Sequence, residues 1–394
     1  MTAVSPRSGA LRIVADENIP LTTEVFETLG SVHRIPGRAI TPESLVGADV
    51  LLVRSVTRVD ASLLQGSTVG FVGSATIGVD HVDRVALAKR GTRFAHAPGS
   101  NAGSVVEYVL AALMHVAVLT KQPLRGQTLG VIGHGHIGQP LARRAAAFGL
   151  RVLLNDPPLA ERGAEEGLYH DLHQVLTQAD IVSIHVPLER GGAHPTHHLL
   201  GATTLAHMKP GAWLINASRG PVVDNHALLN HAEAGRLGAL VLDVWEDEPT
   251  PLPALVHAAT LATPHIAGYS YDGKVAGTRM LYEAVLDWLG EPPAPDALAA
   301  LDGDSEGLTP LRPRAAPDEA AWLHHLGRQL YDIEADDRRF RLITERPAHE
   351  AAAYFQQLRK TYPRRRAFER HRLDPAAIPP AYQRTVEEGL LVGQ

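Results

Sequence analysis

Short apolar runs alternate with polar stretches marked by Gly or Pro along most of the chain, and that rhythm predicts strands and helices in turn. Leu11–Asp16 reads as a first strand, followed by helical spacing over 20–29 that Gly30 ends. A second strand is expected over 31–35, a turn at Pro36-Gly37 and a short helix ending near Ala48. Residues 50–53 and 69–73 are continuously apolar, and each run leads straight into polar residues. Arg54-Ser55-Val56-Thr57 follows the first and Ser74-Ala75-Thr76 the second. The segment 94–98 closes this unit, and an apolar helix over 105–120 leads to the next. There the pattern predicts strands over 128–132, 151–156, 179–188, 212–217, 240–245 and 260–269. Helices are predicted over 139–148, 172–178 and 225–234. Strands that are apolar throughout, separated by helices, indicate an open parallel sheet covered on both faces. Ligands of such sheets bind beyond the carboxyl ends of strands. Arg54, Ser55 and Thr76 are therefore candidates for holding an anionic substrate.

One turn stands out. Gly133-His134-Gly135-His136-Ile137-Gly138 follows the strand at 128–132 and opens onto a helix with Pro140 in its first turn. The next strand ends at Asp156. This is the strand, Gly-rich turn, helix, strand and acid of a dinucleotide site. The first Gly permits the tight turn, the second lets backbone approach a pyrophosphate, and the third packs helix on strand. Unpaired N–H groups at the helix start face the anion. Asp156 accepts from a ribose diol and repels a 2′-phosphate, which favours NAD over NADP.

Length and composition narrow the reading. A chain of 394 residues implies two or three domains, and 45% hydrophobic with 20% charged residues implies ample core. The net charge of −6 gives no electrostatic ground for nucleic-acid binding. With no cysteine there is no disulfide, thiolate nucleophile or Cys-based metal site. Residues 1–10 lack an apolar signal core, and the run over 105–120 carries Glu107 and His115, too short and polar to span a bilayer. A cytoplasmic protein with no membrane partner is expected. The His-rich stretch over 193–198 reads as an exposed loop without fixed ligand geometry. Beyond Gly290 the composition shifts: 291–317, rich in Pro, Ala, Asp and Gly, reads as a linker, and 318–394 as more helical and more charged. Its basic run, from Arg359-Lys360 through Arg364-Arg365-Arg366 to Arg370 and Arg372, reads as a solvated or interface face.

Arg219 and Glu248 each follow a predicted strand in the second unit, and His265 follows the apolar start of the last one. Together they match what hydride transfer from a 2-hydroxy acid requires. Arg supplies a bidentate fork for the carboxylate, His takes the hydroxyl proton, and Glu248 orients and charges the His. No metal is needed for this, and none is suggested. The role of Asp243 is left open by the residues alone.

These motifs resemble the D-2-hydroxyacid dehydrogenase family over roughly 11–290. The resemblance rests on the Gly133-to-Gly138 loop, His185-Val186-Pro187-Leu188, Ile215-Asn216-Ala217-Ser218-Arg219-Gly220, Asp243-Val244-Trp245-Glu246-Asp247-Glu248-Pro249 and Thr263-Pro264-His265-Ile266-Ala267-Gly268. It implies two Rossmann-like doubly wound parallel-sheet lobes with the active site between them. Arg219 would bind the substrate carboxylate, and His265 would be the acid/base with Glu248 as its partner. A narrower resemblance is to a branch of that family acting on a small phosphorylated hydroxy acid. It rests on Val14-Ala15-Asp16-Glu17-Asn18-Ile19-Pro20, Arg54-Ser55, Asp156-Pro157-Pro158, Val223-Asp224-Asn225, Tyr269-Ser270 and the C-terminal extension. That branch implies a C-terminal α+β dimerisation domain and hence a homodimer. The implied domains are 1–104 with 269–290 for substrate, 105–268 for NAD, and 291–394 as linker and dimerisation domain. The implied substrate contacts are Arg54, Ser55, Thr76 and Tyr269. The implied NAD contacts are Gly133, Gly135, His136, Ile137, Gly138, Asp156, Val186, Ala217, Arg219, Asp243 and Gly268. The competing readings are a dehydrogenase for another acid, such as 3-phosphoglycerate, and a non-enzymatic NAD-sensing protein on the same fold.

Overall fold

The computed structural model describes residues 10–163, 167–302 and 307–393. They form two compact units, each around its own parallel sheet.

The first unit takes the chain up to Asn101 and again from Ser270 to Gly307. Its strands are β1 (Leu11–Asp16), β2 (Gly30–Ile35), β3 (Val50–Val53), β4 (Phe71–Ser74) and β5 (Arg93–His96), in the order β2-β1-β3-β4-β5. All pair in parallel, as uniformly apolar strands require. Side chains alternate between two cores. Ile13, Ala15, Leu52 and Phe71 face the helices Tyr271–Leu289 and Pro295–Asp302, whereas Val14, Leu51, Val53 and Val72 face Leu45, Leu64 and Leu87. Two expectations change here. The helix expected over 20–29 is confined to Thr22–Phe26. Gly30 does not cap it but begins β2, where a Cβ would collide with the Leu11 backbone. The expected linker contains a helix, Pro295–Asp302, which buries Ala297 and Leu301 one turn apart.

The second unit comprises Ala102–Tyr269 and Leu308–Gln394. It begins with α1 (Ala102–Thr120), buried along nearly its whole length. This helix is long and apolar enough to cross a membrane, yet it is packed inside the core. The strands β6 (Thr128–Ile132), β7 (Arg151–Asn155), β8 (Ile181–Ile184), β9 (Ala212–Asn216), β10 (Leu237–Leu242) and β11 (Leu261–Ala262) form a parallel sheet in the order β11-β10-β9-β8-β6-β7. The connections diverge between β6 and β8, which makes that crevice the switch point where such sheets take ligands. Strand β8 stops at Ile184, short of the expected Pro187, and β10 ends at Leu242. The expected strand over 260–269 shrinks to two residues because the chain turns at Pro264 and His265 has φ +58°.

Residues beyond Leu308 contribute three main helices, α3 (Glu319–Leu330), α4 (Ile333–Arg341) and α5 (Ala348–Lys360), after α2 (Gly138–Ala147) earlier in the unit. Their apolar faces lie in both cores of the second sheet. Leu326, Leu330, Phe368 and Leu390 join α1, Leu129 and Val131, and Phe340 and Phe355 join Leu214 and Leu242 on the other face. The basic run is not wholly solvated. Arg365 is buried, stacks 4.3 Å over Tyr331, and donates through Nη2 to the carbonyls of Ser104 and Ala267.

Candidate active site

The Gly-rich turn begins where β6 ends, at the switch point. Gly133 has φ +92°, and a Cβ there would come within 2.6 Å of the His185 carbonyl. Gly138 starts α2 with its Cα against the Gly133 carbonyl, where a Cβ would overlap it. Gly135 is different: a Cβ on it would meet nothing within 4 Å. The outer glycines close the turn on its own sheet, and the middle one faces open space, which fits a pyrophosphate resting on bare backbone. Val186 borders the same turn, its Cγ1 2.9 Å from the would-be Gly133 Cβ. His136 is exposed beside Gly135, and Ile137 precedes the first turn of α2.

Asp156 follows β7. Its Oδ2 accepts the His134 N–H at 2.8 Å and its Oδ1 the Leu159 N–H at 3.1 Å. The carboxylate is thereby fixed beside the turn, and each oxygen keeps a lone pair for a ribose hydroxyl. His134 is held in turn by the Tyr169 hydroxyl at 2.9 Å, and burial lowers its pKa despite Asp156 nearby.

Glu248 and His265 lie past the ends of β10 and β11. His265 Nδ1 is 2.7 Å from Glu248 Oε2, and Glu248 Oε1 accepts the Trp245 N–H at 3.0 Å. Burial pushes the Glu248 carboxyl up, but His265, the Trp245 N–H and the charge of Arg359 outweigh it and hold the group below the usual carboxylate range. Glu248 is therefore ionised and fixes His265 by its Nδ1, which leaves Nε2 as the ring nitrogen not engaged by Glu248. About a third of the His265 side chain is exposed.

Asp243 directly follows β10 and is buried. Its Oδ1 accepts from Thr263 Oγ1 at 2.6 Å and the Ile266 N–H at 2.8 Å, and its Oδ2 from the Ala267 N–H at 2.8 Å. The His265 N–H reaches the Asp243 carbonyl at 2.7 Å. Burial raises the Asp243 carboxyl pKa, against the pull of His265 and these donors. Asp243 thus shapes the loop that carries His265, a role its sequence position did not announce. Tyr108 backs the same arrangement, its hydroxyl 2.8 Å from Thr263 Oγ1.

Arg219 lies past β9. Asn216 Oδ1 accepts from the Ser218 N–H and hydroxyl, Asn216 Nδ2 donates to the Arg219 carbonyl, and Arg219 Nη1 donates to the Ser218 carbonyl. Asn216 is the residue sequence reasoning passed over. Its signals are a polar side chain ending an apolar strand and its place in the Ile215-to-Gly220 motif. Ala217 is buried between them. Gly268 and Tyr269 follow the His265 loop, and the Tyr269 ring packs edge-on against Tyr362 at 5.7 Å.

Arg219, Glu248, His265, Asp243, Asp156, Tyr269 and the Gly-rich turn all belong to the second unit. Arg54, Ser55 and Thr76 belong to the first. There, Val53 pairs with Ser74, which brings the ends of β3 and β4 side by side. The Thr76 hydroxyl donates to the Gly78 carbonyl at 2.9 Å and lies 2.7 Å from Ser74 Oγ, itself 3.0 Å from His81 Nε2.

The His-rich loop is more ordered than expected. His198 Nε2 is 2.5 Å from Glu246 Oε1, the His197 ring stacks on His198 at 4.0 Å, and Glu246 Oε2 accepts the Asn225 N–H at 3.1 Å.

A family model described as D-isomer specific 2-hydroxyacid dehydrogenase, NAD binding domain, matches residues 111–267, and a domain of unknown function matches 306–386. The chain is 48% identical to the erythronate-4-phosphate dehydrogenase of Salinibacter ruber over 388 residues, covering 97% of this chain and 98% of that protein. It is 47% identical to the enzyme of the same name from Azotobacter vinelandii over 361 residues, covering 91% and 93%. Among solved structures it is similar to the TT0316 protein of Thermus thermophilus, with a TM-score of 0.59 and 31% identity over 72% of this chain and 98% of that one. It is also similar to D-lactate dehydrogenase of Aquifex aeolicus, solved with NAD and lactic acid, with a TM-score of 0.59 and 26% identity over 71% and 95%. The chain belongs to the D-isomer specific 2-hydroxyacid dehydrogenases, and is an NAD-dependent oxidoreductase. Within that group it falls in the erythronate-4-phosphate dehydrogenase family.

Proposed function

We propose that the chain oxidises 4-phospho-D-erythronate at carbon 2, giving 2-oxo-3-hydroxy-4-phosphobutanoate, as a step in pyridoxal 5′-phosphate biosynthesis. The observation that carries the chemistry is the His265–Glu248 pair at 2.7 Å, in the unit that holds the Gly-rich turn. The substrate follows from the names of the relatives that match nearly the full length of the chain. NAD, when bound, supplies the acceptor for the hydride leaving carbon 2. His265 Nε2 takes the hydroxyl proton, and the ionised Glu248 stabilises the imidazolium that forms. Arg219 grips the carboxylate with its guanidinium fork and so fixes which face of carbon 2 is presented. Arg54, Ser55 and Thr76 take the phosphate, and Tyr269 is a further substrate contact. Gly133, Gly135, His136, Ile137, Gly138, Asp156, Val186, Ala217, Arg219, Asp243 and Gly268 serve NAD. The protein works in the cytoplasm as a homodimer.

The test is NADH formation with 4-phospho-D-erythronate, 3-phosphoglycerate and D-lactate side by side, with a 2-oxo acid in parallel to recycle bound cofactor. Preference for 4-phospho-D-erythronate supports the assignment. Preference for another acid keeps the family and withdraws the pathway. Protein that binds NAD and turns over none of them is an NAD sensor.

A further inference from the structure

Away from the Gly-rich turn and the His265 loop, three helices of the second unit bring three ligand-type atoms to one point. His115 comes from α1, His324 from α3 and Glu334 from the start of α4. His115 Nδ1 lies 3.3 Å from His324 Nε2 and 3.3 Å from Glu334 Oε1, and His324 Nε2 lies 3.0 Å from Glu334 Oε1. His115 is buried, and the other two side chains are about one-fifth exposed.

We propose that His115, His324 and Glu334 form a binding site for a divalent cation, Zn²⁺ by preference, that ties the C-terminal helices to α1. The geometry is the argument. Metal–ligand bonds of about 2.0–2.1 Å in a tetrahedron place ligand atoms about 3.3–3.4 Å apart, and the three atoms form a triangle of that size. Two imidazoles and a carboxylate are a Zn²⁺ donor set, with the partly exposed side left for water as fourth ligand. Protons alone satisfy the triangle poorly. If both rings donate to the one carboxylate oxygen, their N–H groups face each other at 3.3 Å. Two cations border Glu334: Arg328 Nε is 3.4 Å from Oε1 and Arg338 Nη1 is 3.8 Å from Oε2. Both guanidinium side chains are about half exposed or more, and Arg328 also pairs with Asp332, so they turn outward without burying charge.

The experiment uses the full chain, freed of metal by a chelator, and titrates it with ZnCl₂ by calorimetry and with CoCl₂ by visible absorption. Parent protein is expected to take one ion per chain at this site, with the intense visible bands of tetrahedral Co²⁺. Both His324→Ala and Glu334→Gln should weaken binding about a hundredfold or more. His197→Ala, in the separate His197–His198–Glu246 cluster, should leave it intact. Circular dichroism melts confirm that each variant is folded, and Glu334→Gln nearly preserves side-chain shape. Binding that survives both His324→Ala and Glu334→Gln, binding abolished by His197→Ala, or no binding by the parent overturns the proposal.

Discussion

Asp243 shows how a single buried side chain sets the geometry of a whole loop. Three of its hydrogen bonds go to Thr263, Ile266 and Ala267, on either side of His265, and His265 itself sits at φ +58°, a conformation costly for a residue with a Cβ. The Asp243 bonds offset that cost. In Asp243→Asn an amide N–H₂ replaces one acceptor and faces a backbone N–H donor. We expect a loss of about 1–3 kcal/mol in urea unfolding even without NAD, and a fall in kcat from the loosened loop. His265→Ala should behave differently. Turnover should drop about 10²–10⁴-fold while NAD affinity by calorimetry stays within a few fold, and equal loss of both would remove His265 from the acid/base role. Arg219→Lys keeps the charge and loses the fork, so kcat/KM for the hydroxy acid should fall by about a hundredfold, with NAD binding less affected.

At the scale of elements, local signals and long-range ones part company. The Gly-rich turn, α1 and β6 to β9 were legible because each is specified by a few consecutive residues. The helix Pro295–Asp302 was hidden because Pro and Ala dominate its segment, and its only cue was Ala297 and Leu301 one turn apart. The short β11 was overread because an apolar run over 260–269 does not reveal that Pro264 and His265 turn the chain. Arg365 was misjudged because its partners lie far away in sequence, Ser104 and Ala267. Glu107, on α1, belongs to the same hidden class. Its Oε1 accepts the Phe368 N–H at 2.7 Å, and burial pushes its pKa up to about 7 against the opposing charges of Arg365 and Arg144. The folded state therefore keeps this proton to higher pH than the unfolded chain. Its contribution to stability is complete below about pH 4.5 and falls as pH rises to about 7. Glu107→Gln keeps the acceptor and removes the titration. Compared with the parent, it should be more stable at pH 8 than at pH 5, read from urea midpoints at both.

On the scale of the molecule, the C-terminal residues are structural parts of the second unit, whatever else they join. Arg341 donates to the carbonyls of Val256 and Ala259, Asp337 accepts the Ala262 N–H, and Phe340, Phe355, Phe368 and Leu390 sit in the sheet's two cores. A chain ended at Gly307 should lose its cooperative thermal transition and its NAD binding. A truncated protein that melts cooperatively and binds NAD would mark 308–394 as dispensable for that fold. The first unit has the complementary property of being interrupted. One face of its sheet is covered by residues before Asn101, whereas the other is covered in part by Ile19, Val25 and Phe26 and waits for Leu281, Tyr282, Val285, Ala297 and Leu301 to complete it. As the chain leaves the ribosome, β1 to β5 emerge first, and the whole span from Ala102 to Tyr269 must be made before their second covering layer arrives. At about 5–20 residues per second that delay is roughly ten to thirty seconds. Through that interval the earliest part of the nascent chain has an apolar face covered only by Ile19, Val25 and Phe26, so the unit begun first is finished after most of the second has been made.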